Sequence, residues 1–370
     1  MKGTDGGHCL TELDGWCVRA SVCGGFADCT LIIPTYRRPT ELLTLLQTLI
    51  ALPDKPGEVV VVDGSPDHTT AAVLQRFVAE LLPFDVVYVH SPPGLTRQRN
   101  VGIDVSAGTF VFFLDDDCVP CPGYFREIRR VFVEDEAGKV GAVTGFIENE
   151  AAERPSFKWR LRLALGLAPR VAPGRYDPSG TSVPRSLAMP FQGVREVDIL
   201  AGCSMTFRRR VLDRNRFSTF FSGYSQGEDL EMSLRVERQW RILWSADARV
   251  RHEPSEAGRP NAFRKGFMEV RNRCFIRTRY SSNATMRDAL RFWLDIGFTA
   301  VFDVASYGLH PWKLEHLAHA CGVARGVLSC ALSPVRYDEP VARKQYEICQ
   351  RSLAGYGGLS NDGGRGNRLA

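Results

Sequence analysis

Three consecutive carboxylates, Asp115, Asp116 and Asp117, follow the apolar run from Phe110 to Leu114. Three acids at one strand end repel one another unless a cation neutralises them. Carboxylate oxygens favour hard divalent ions such as Mg²⁺ or Mn²⁺, and these ions in turn bind diphosphates. A lone triplet is equally well explained as a solvated acidic turn or a helix N-cap. A second acidic pair, Glu228 and Asp229, opens an amphipathic stretch, where carboxylates also serve as ordinary complements to the helix dipole. Asp63 closes a β-branched run, Pro34 and Thr35 close another ahead of Tyr36, Arg37 and Arg38, and His252 follows a third. An imidazole in that place suits a metal ligand among many other roles.

These groups need a frame, and the hydrophobic pattern supplies one. Residues 29–33 form a short apolar run that meets Pro34, and behind Thr40, read as a cap, apolar residues recur at helical spacing. The unit repeats with strands at 58–63, 85–90 and 109–114 and helices at 70–82 and 96–106. Strands that are apolar on both faces and alternate with helices predict a doubly wound α/β sheet, mostly parallel and covered on both sides. In such a sheet ligands bind beyond the carboxyl ends of the strands, where the polar residues above fall.

Further along, residues 153–193 read as a long irregular connection, a length common in binding lids. Strands are expected at 197–207 and 241–250 with a helix at 227–238 between them, followed by a basic helix at 261–280 and an apolar helical region at 288–333. The expected domains are a flexible leader (1–27), a catalytic domain (28–282, nucleotide half 28–121, acceptor half 122–282), a helical C-terminal extension (283–355) and a disordered tail (356–370).

Across 370 residues, 47 basic against 42 acidic side chains leave a net charge of +5, too even to indicate a nucleic-acid binder. The 11 cysteines are odd in number and lack framework spacing, so reduced thiols and a cytoplasmic setting are expected. Cys118 and Cys121 lack the second ligand pair a zinc site needs and read as core-filling thiols. No signal peptide is expected at the N-terminus, and no apolar stretch reaches the length of a spanning helix.

Several blocks in order resemble the family 2 glycosyltransferases of the GT-A fold. They are D-C-T-L-I-I-P-T-Y-R-R-P, V-V-V-V-D-G-S, G-L-T-R-Q-R-N-V-G-I and F-F-L-D-D-D-C-V-P within 28–121, then A-G-C-S-M-T-F-R from Ala201 and G-E-D-L-E-M-S-L-R from Gly227. The resemblance runs to about Tyr280 and covers roughly two thirds of the chain. It implies an inverting, metal-dependent transfer of one sugar from a nucleotide-sugar donor, first of all a UDP-sugar, to a hydroxyl acceptor. Pro34, Thr35 and Arg37 would lie along the nucleotide and Asp63 on its base, with Arg97, Arg99 and Asn100 lining the same pocket. Asp115 and Asp117 would form the D-x-D pair, Asp117 holding Mg²⁺ or Mn²⁺ and Asp115 or Asp116 near the ribose. His252 sits where some relatives complete the metal site. Asp229, beside Glu228, would be the base, and Gly202 would bring backbone close to the sugar.

Relatives that polymerise carry a Gln-x-x-Arg-Trp block and several spanning helices. Here only Arg238-Gln-Trp-Arg241 appears, so a non-processive enzyme is implied. A sugar-nucleotide pyrophosphorylase is the rival enzyme, but it would carry a glycine-rich loop where this chain has Pro-Thr-Tyr-Arg-Arg. A non-catalytic nucleotide-sugar-binding protein is the rival from another class. The apolar C-terminal region with basic residues upstream fits a peripheral contact with the inner face of a membrane through 261–330, and a packed cap or homodimer contact equally well.

Overall fold

Continuous β-branched runs have no polar face to give to water, so they are stable only in a sheet covered on both sides. The computed structural model describes residues 11–20, 24–78, 82–150, 155–188, 190–255, 259–332 and 346–350. Its first half comprises β1 (Thr11–Val18), β2 (Phe26–Thr35), α1 (Pro39–Ala51), β3 (Pro56–Asp63), α2 (Thr69–Phe77), β4 (Asp85–His90), α3 (Leu95–Val105) and β5 (Phe110–Leu114). β6 (Cys118–Pro120), α4 (Tyr124–Glu134), β7 (Val140–Ile147), α5 (Phe157–Ala164), β8 (Tyr176–Asp177), β9 (Thr181–Ser182), β10 (Val194–Val197) and β11 (Ser204–Arg208) follow. The remainder is α6 (Arg209–Leu212), α7 (Glu228–Glu237), β12 (Arg241–His252), α8 (Ala262–Tyr280), α9 (Met286–Leu309), α10 (Leu314–Leu332) and β13 (Tyr346–Gln350).

The main sheet runs β10-β12-β7-β11-β5-β2-β3-β4-β1-β13, with β6 paired to β12 off that path. It is mixed: β4, β3, β2 and β5 are mutually parallel, as are β7 and β12, whereas β11, β10, β6 and β1 pair antiparallel to their main neighbours. Alternate residues of each strand feed opposite cores, as the two-residue period requires. Leu31, Ile33, Val59 and Val61 pack with α1, α2 and α4, while Ile32, Val60 and Val62 pack with α3, α6 and α7. Each such fully buried side chain stabilises the fold by roughly 2 kcal/mol.

Registry places the functional ends together. Thr35 pairs with Asp63 and Asp63 with His90, so β2, β3 and β4 end at one edge, and Ile32 opposite Phe113 brings residues 115–117 to the same edge. β11 runs back along β5 with Ser204 opposite Leu114, which sets Gly202 and Cys203 beside Asp115. β12 pairs with β6, His252 opposite Cys118.

Several expectations change. Residues 11–18, assigned to a flexible leader, form an edge strand in which buried Trp16 stacks on Tyr88 at 5.3 Å; residues 1–10 lie outside the described residues. α1 begins at Pro39, and no side chain caps it; proline fixes the first helical φ and has no N–H to leave unsatisfied. The 153–193 connection contains α5, the β8–β9 hairpin and a 3₁₀ turn at Arg185–Leu187. The expected 197–207 strand is the end of β10 at Val197 and most of β11 from Ser204, separated by residues 198–203 with a turn at 202–203.

The C-terminal extension is helical through α10, yet residues 346–350 form a strand parallel to β1 at the sheet edge. The tail at 356–370 lies outside the described residues. α8 and α10 cross closely: a Cβ on Gly322 would overlap the Phe263 carbonyl oxygen, so only glycine fits there.

Candidate active site

A cavity of about 810 Å³ opens at the carboxyl edge of β2 and β5, and Pro34, Thr35, Arg38, residues 115–117, Gly202, Glu228, Asp229 and His252 are among the residues lining it. The three aspartates diverge. Asp115 is partly exposed and accepts from Arg99 at 3.2 Å; burial of the pocket floor pushes its carboxyl above the usual value despite that arginine. Asp116 turns inward and accepts from the Thr35 hydroxyl at 2.7 Å and from Arg38 at 2.9 Å. Desolvation outweighs both partners and pushes Asp116 up to about 7. Burial would also raise Asp117, but His252, the Ser255 N–H at 3.0 Å and Arg38 at 3.2 Å together hold it below the ordinary value.

Asp117 Oδ1 is buried without a hydrogen-bond partner and faces His252 Nε2 across 3.5 Å. Glu150 lies 3.3 Å from Nδ1 on the other side of the ring. The two carboxylates push the His252 imidazole up to about 11. One ligand atom each from Asp117, Cys118 and His252 falls within 4.8 Å of the others. A carboxylate oxygen left without a donor beside an imidazole nitrogen fits a divalent cation such as Mn²⁺, with Glu150 orienting the ring from behind. The Cys118 thiol fits less well: its hydrogen-bonded neighbour Cys203 and then burial raise it well above the usual range, and its Sγ donates to the Cys203 carbonyl at 3.5 Å.

Across the cavity, Gly227 adopts φ +86°, a left-handed geometry that suits glycine, and starts α7 with Glu228 and Asp229 in its first turn. The fully buried Arg99 guanidinium donates to Glu228 at 2.8 Å and to the Gly202 carbonyl at 2.9 Å, joining α3, α7 and the bend before β11. Burial and the adjacent Asp229 push Glu228 up to about 7 against the pull of Arg99. Among the described residues Asp229 accepts a hydrogen bond from the Leu230 N–H alone, at 2.8 Å, and lies against Gly202, where a Cβ would meet its Oδ2 at 3.0 Å. Its half-exposed carboxylate faces the cavity as a free acceptor.

Pro34, Thr35, Asp115, Asp116, Asp117, Gly202, Glu228, Asp229 and His252 thus meet in one cavity, whereas four other expected residues are not among those lining it. Asp63 is buried at the same edge, accepting from Ser65 N at 2.8 Å and from the Tyr88 hydroxyl at 3.0 Å. Arg37 is exposed with φ 57°, its N–H donating to Ser65 Oγ. Arg97 is exposed on α3, and Asn100 uses both ends of its amide on the Phe217 backbone, at 2.8 and 2.9 Å.

Residues outside the expected set enter instead. Arg38 rather than Arg37 reaches the aspartates, because the left-handed turn at Arg37 sends that side chain outward. Gln98 clips the carbonyls of Thr35 and Val62, each at 2.8 Å. Arg185, in the 153–193 segment, bonds the Ile199 carbonyl, and burial lowers it to about 10. No motif marks it; the only sequence signal for Arg38 is its place in Tyr-Arg-Arg-Pro.

The sequence profile described as Glycosyl transferase family 2 matches residues 30–215, half of the chain. A succinoglycan biosynthesis protein, ExoM, of Rhizobium meliloti strain 1021 is 39% identical over 87 residues, 22% of this chain and 28% of that protein. An uncharacterized glycosyltransferase of Haemophilus influenzae is 32% identical over 109 residues, 29% of this chain and 35% of that protein. The matches span about a third or less of these curated relatives. A mannosyltransferase from Pyrobaculum calidifontis, solved with GDP-Man and Mn²⁺, superposes with a TM-score of 0.50 at 15% identity over 86% of this chain and 92% of its own. At that identity the likeness shows the GT-A fold alone. With that fold beneath a family match covering half its length, the chain belongs to the family 2 glycosyltransferases.

Proposed function

We propose that the enzyme is inverting and non-processive, moving one sugar from a nucleotide-diphosphate donor, first of all a UDP-sugar, to a hydroxyl acceptor. The observation that carries this reading is a single cavity with a cation-fitting group on one wall and a free carboxylate, Asp229, on the other. Asp117 and His252 would hold Mn²⁺ or Mg²⁺, with Asp115 beside them. A cation there would neutralise the donor diphosphate and stabilise its negative charge as the sugar–phosphate bond breaks.

The protein's own groups do the rest. Thr35 and Pro34 line the nucleotide side, with Asp63 buried behind it at the same strand edge; Arg37, Arg97 and Asn100, which the family pattern also puts on the nucleotide, stand outside the cavity. Arg99 holds Glu228 in place, so that Asp229 at the next position stays against the Gly202 backbone. Asp229 takes the proton of the acceptor hydroxyl as its oxygen bonds the anomeric carbon from the face opposite the departing diphosphate. One displacement inverts the anomeric centre without a covalent intermediate.

The 153–193 segment supplies Gly174 and residues 182–186 to the same cavity, which supports a part for it in acceptor recognition. Residues 261–330 supply a peripheral membrane contact in this reading; among the described residues no helix is long and apolar enough to cross a bilayer.

The test is nucleoside diphosphate release from UDP-, GDP- and dTDP-sugars with and without Mn²⁺. Release that requires Mn²⁺ and disappears in Asp117→Ala is expected. Binding without turnover supports the non-catalytic reading, and pyrophosphate-dependent formation of a nucleoside triphosphate supports the pyrophosphorylase.

A further inference from the structure

The basic residues of α8 look from the sequence like an apron for anionic lipid, but the fold uses most of them internally. The Arg271 guanidinium lies 3.8 Å from the centre of the Phe220 ring, Arg273 pairs with Asp295 at 2.8 Å, Arg277 lies over Phe292, and Arg264 lines the main cavity.

The free surface is on α9. Phe292, Asp295, Ile296, Thr299 and Asp303 face inward, and on the opposite side Met286, Leu290, Leu294, Val301, Val304 and Leu309 form a stripe at helical spacing. Their exposure runs from 50% at Leu294 to 87% at Met286. Twenty-four residues of helix make this stripe about 36 Å long. An exposed apolar surface of this extent marks a contact with something other than water.

Charge decides what that is. Each acid of α9 is held away from the stripe: Asp288 in the helix-capping box, Asp295 on Arg162 and Arg273, Asp303 on His319 and Lys158. Exposed cations remain at the rim, Arg287 at the start of α9, Arg160 on the adjoining α5, and Lys313 in the turn that also exposes Trp312. Glu315, at the start of α10, is the exposed acid next to that turn. α5 lies along α9 through Phe157 on Phe302 and Arg162 on Thr299 at 2.9 Å, and adds exposed Phe157, Leu163 and Leu165. Two copies meeting through this face would bring like charges together, whereas an anionic bilayer complements cations around an apolar strip and places Trp312 at the headgroup level.

We propose that the outward face of α9, bordered by α5 and the Trp312 turn, docks the protein onto an anionic lipid bilayer. This deepens the membrane contact of the proposed function and moves it from α8 to α9 and α5. Lys158, Trp159 and Arg162 of α5 line a second cavity of about 480 Å³ that shares Ser182, Pro184 and Ser186 with the first. One helix therefore borders both the docking face and the approach to the catalytic cavity.

The test is sedimentation of the full chain with vesicles of phosphatidylcholine alone and of an equal mixture with phosphatidylglycerol. Binding to the mixed vesicles at least about tenfold stronger than to neutral ones, weakening with salt, is expected. Leu290→Glu with Val301→Glu is expected to reduce it by about tenfold or more, and Arg287→Gln with Lys313→Gln to remove the preference for anionic lipid. Absence of binding by the native chain, or unchanged binding by the Leu290/Val301 variant, overturns the proposal. So does a native dimer that this variant converts to a monomer while vesicle binding is unchanged. Nucleoside diphosphate release measured without lipid reports on the transferase reading separately, and its retention in the variants shows that they fold.

Discussion

At the 115–117 turn and at the start of α7, a buried acid is pushed up to about 7 and held by an arginine: Asp116 by Arg38, Glu228 by Arg99. The neighbouring acid differs. Asp117 is surrounded by the Ser255 N–H, Arg38 and His252, which favour its charged form. Asp229 receives one bond, from the N–H of the next residue, and otherwise faces the cavity and Gly202. The same plan of anchor plus neighbour thus yields a wall that stabilises fixed negative charge and a wall that turns a carboxylate toward the cavity.

The largest expected effect separates those two roles. Asp229→Asn is expected to lower transfer by about 10³-fold with donor affinity unchanged by calorimetry; full activity in this variant would break the comparison. His252→Ala is expected to weaken Mn²⁺ binding on the order of 10²-fold, read by spin resonance of free Mn²⁺, whereas Asp229→Asn leaves it intact. The anchors differ in burial, so Arg99→Met is expected to cost about 3 kcal/mol in urea unfolding and Arg38→Met, at a partly wet site, about 1 kcal/mol. Equal losses would show that the two walls are built alike. Asn100→Ala is expected to cost about 1 kcal/mol in stability through the lost Phe217 bonds. A fall in donor affinity without loss of stability would return Asn100 to the nucleotide pocket.

The smallest effect is one of pH. Between the ordinary glutamate value and about 7 the folded chain keeps a proton on Glu228 that the unfolded chain has released. Its contribution is full at low pH and is lost as pH rises through about 7. The urea midpoint is expected to fall from about pH 5 to about pH 8 by an amount that Glu228→Gln removes. Asp117 has the opposite sign, contributing above the ordinary aspartate value and losing its contribution as pH falls.

The parallel core was legible because runs such as Val59 to Val62 admit one solution, burial on both faces. β1 was not: Thr-Glu-Leu-Asp-Gly-Trp-Cys-Val has no clean alternation, and its place depends on an edge of β4 lying some seventy residues away. The acids of the site were legible because carboxylates after apolar strands are chemically conspicuous. Arg99 was legible as a pocket residue from its block, but its pairing with Glu228 was not, since the two stand 129 positions apart and arginine suits many surfaces. The meeting of His252 with Asp117 depends on β12 pairing with β6, a short antiparallel contact with no local signal.

Trp16 stacks on Tyr88, and the Tyr88 hydroxyl reaches Asp63. The opening strand is therefore a brace for an aspartate that the family pattern puts on the nucleobase. A chain trimmed to begin at Phe26 would retain the parallel strands β2 to β5 and lose the brace, so its damage should register as poorer discrimination among donor bases before it registers as a loss of folding. Fusions at that end deserve to be judged by that readout.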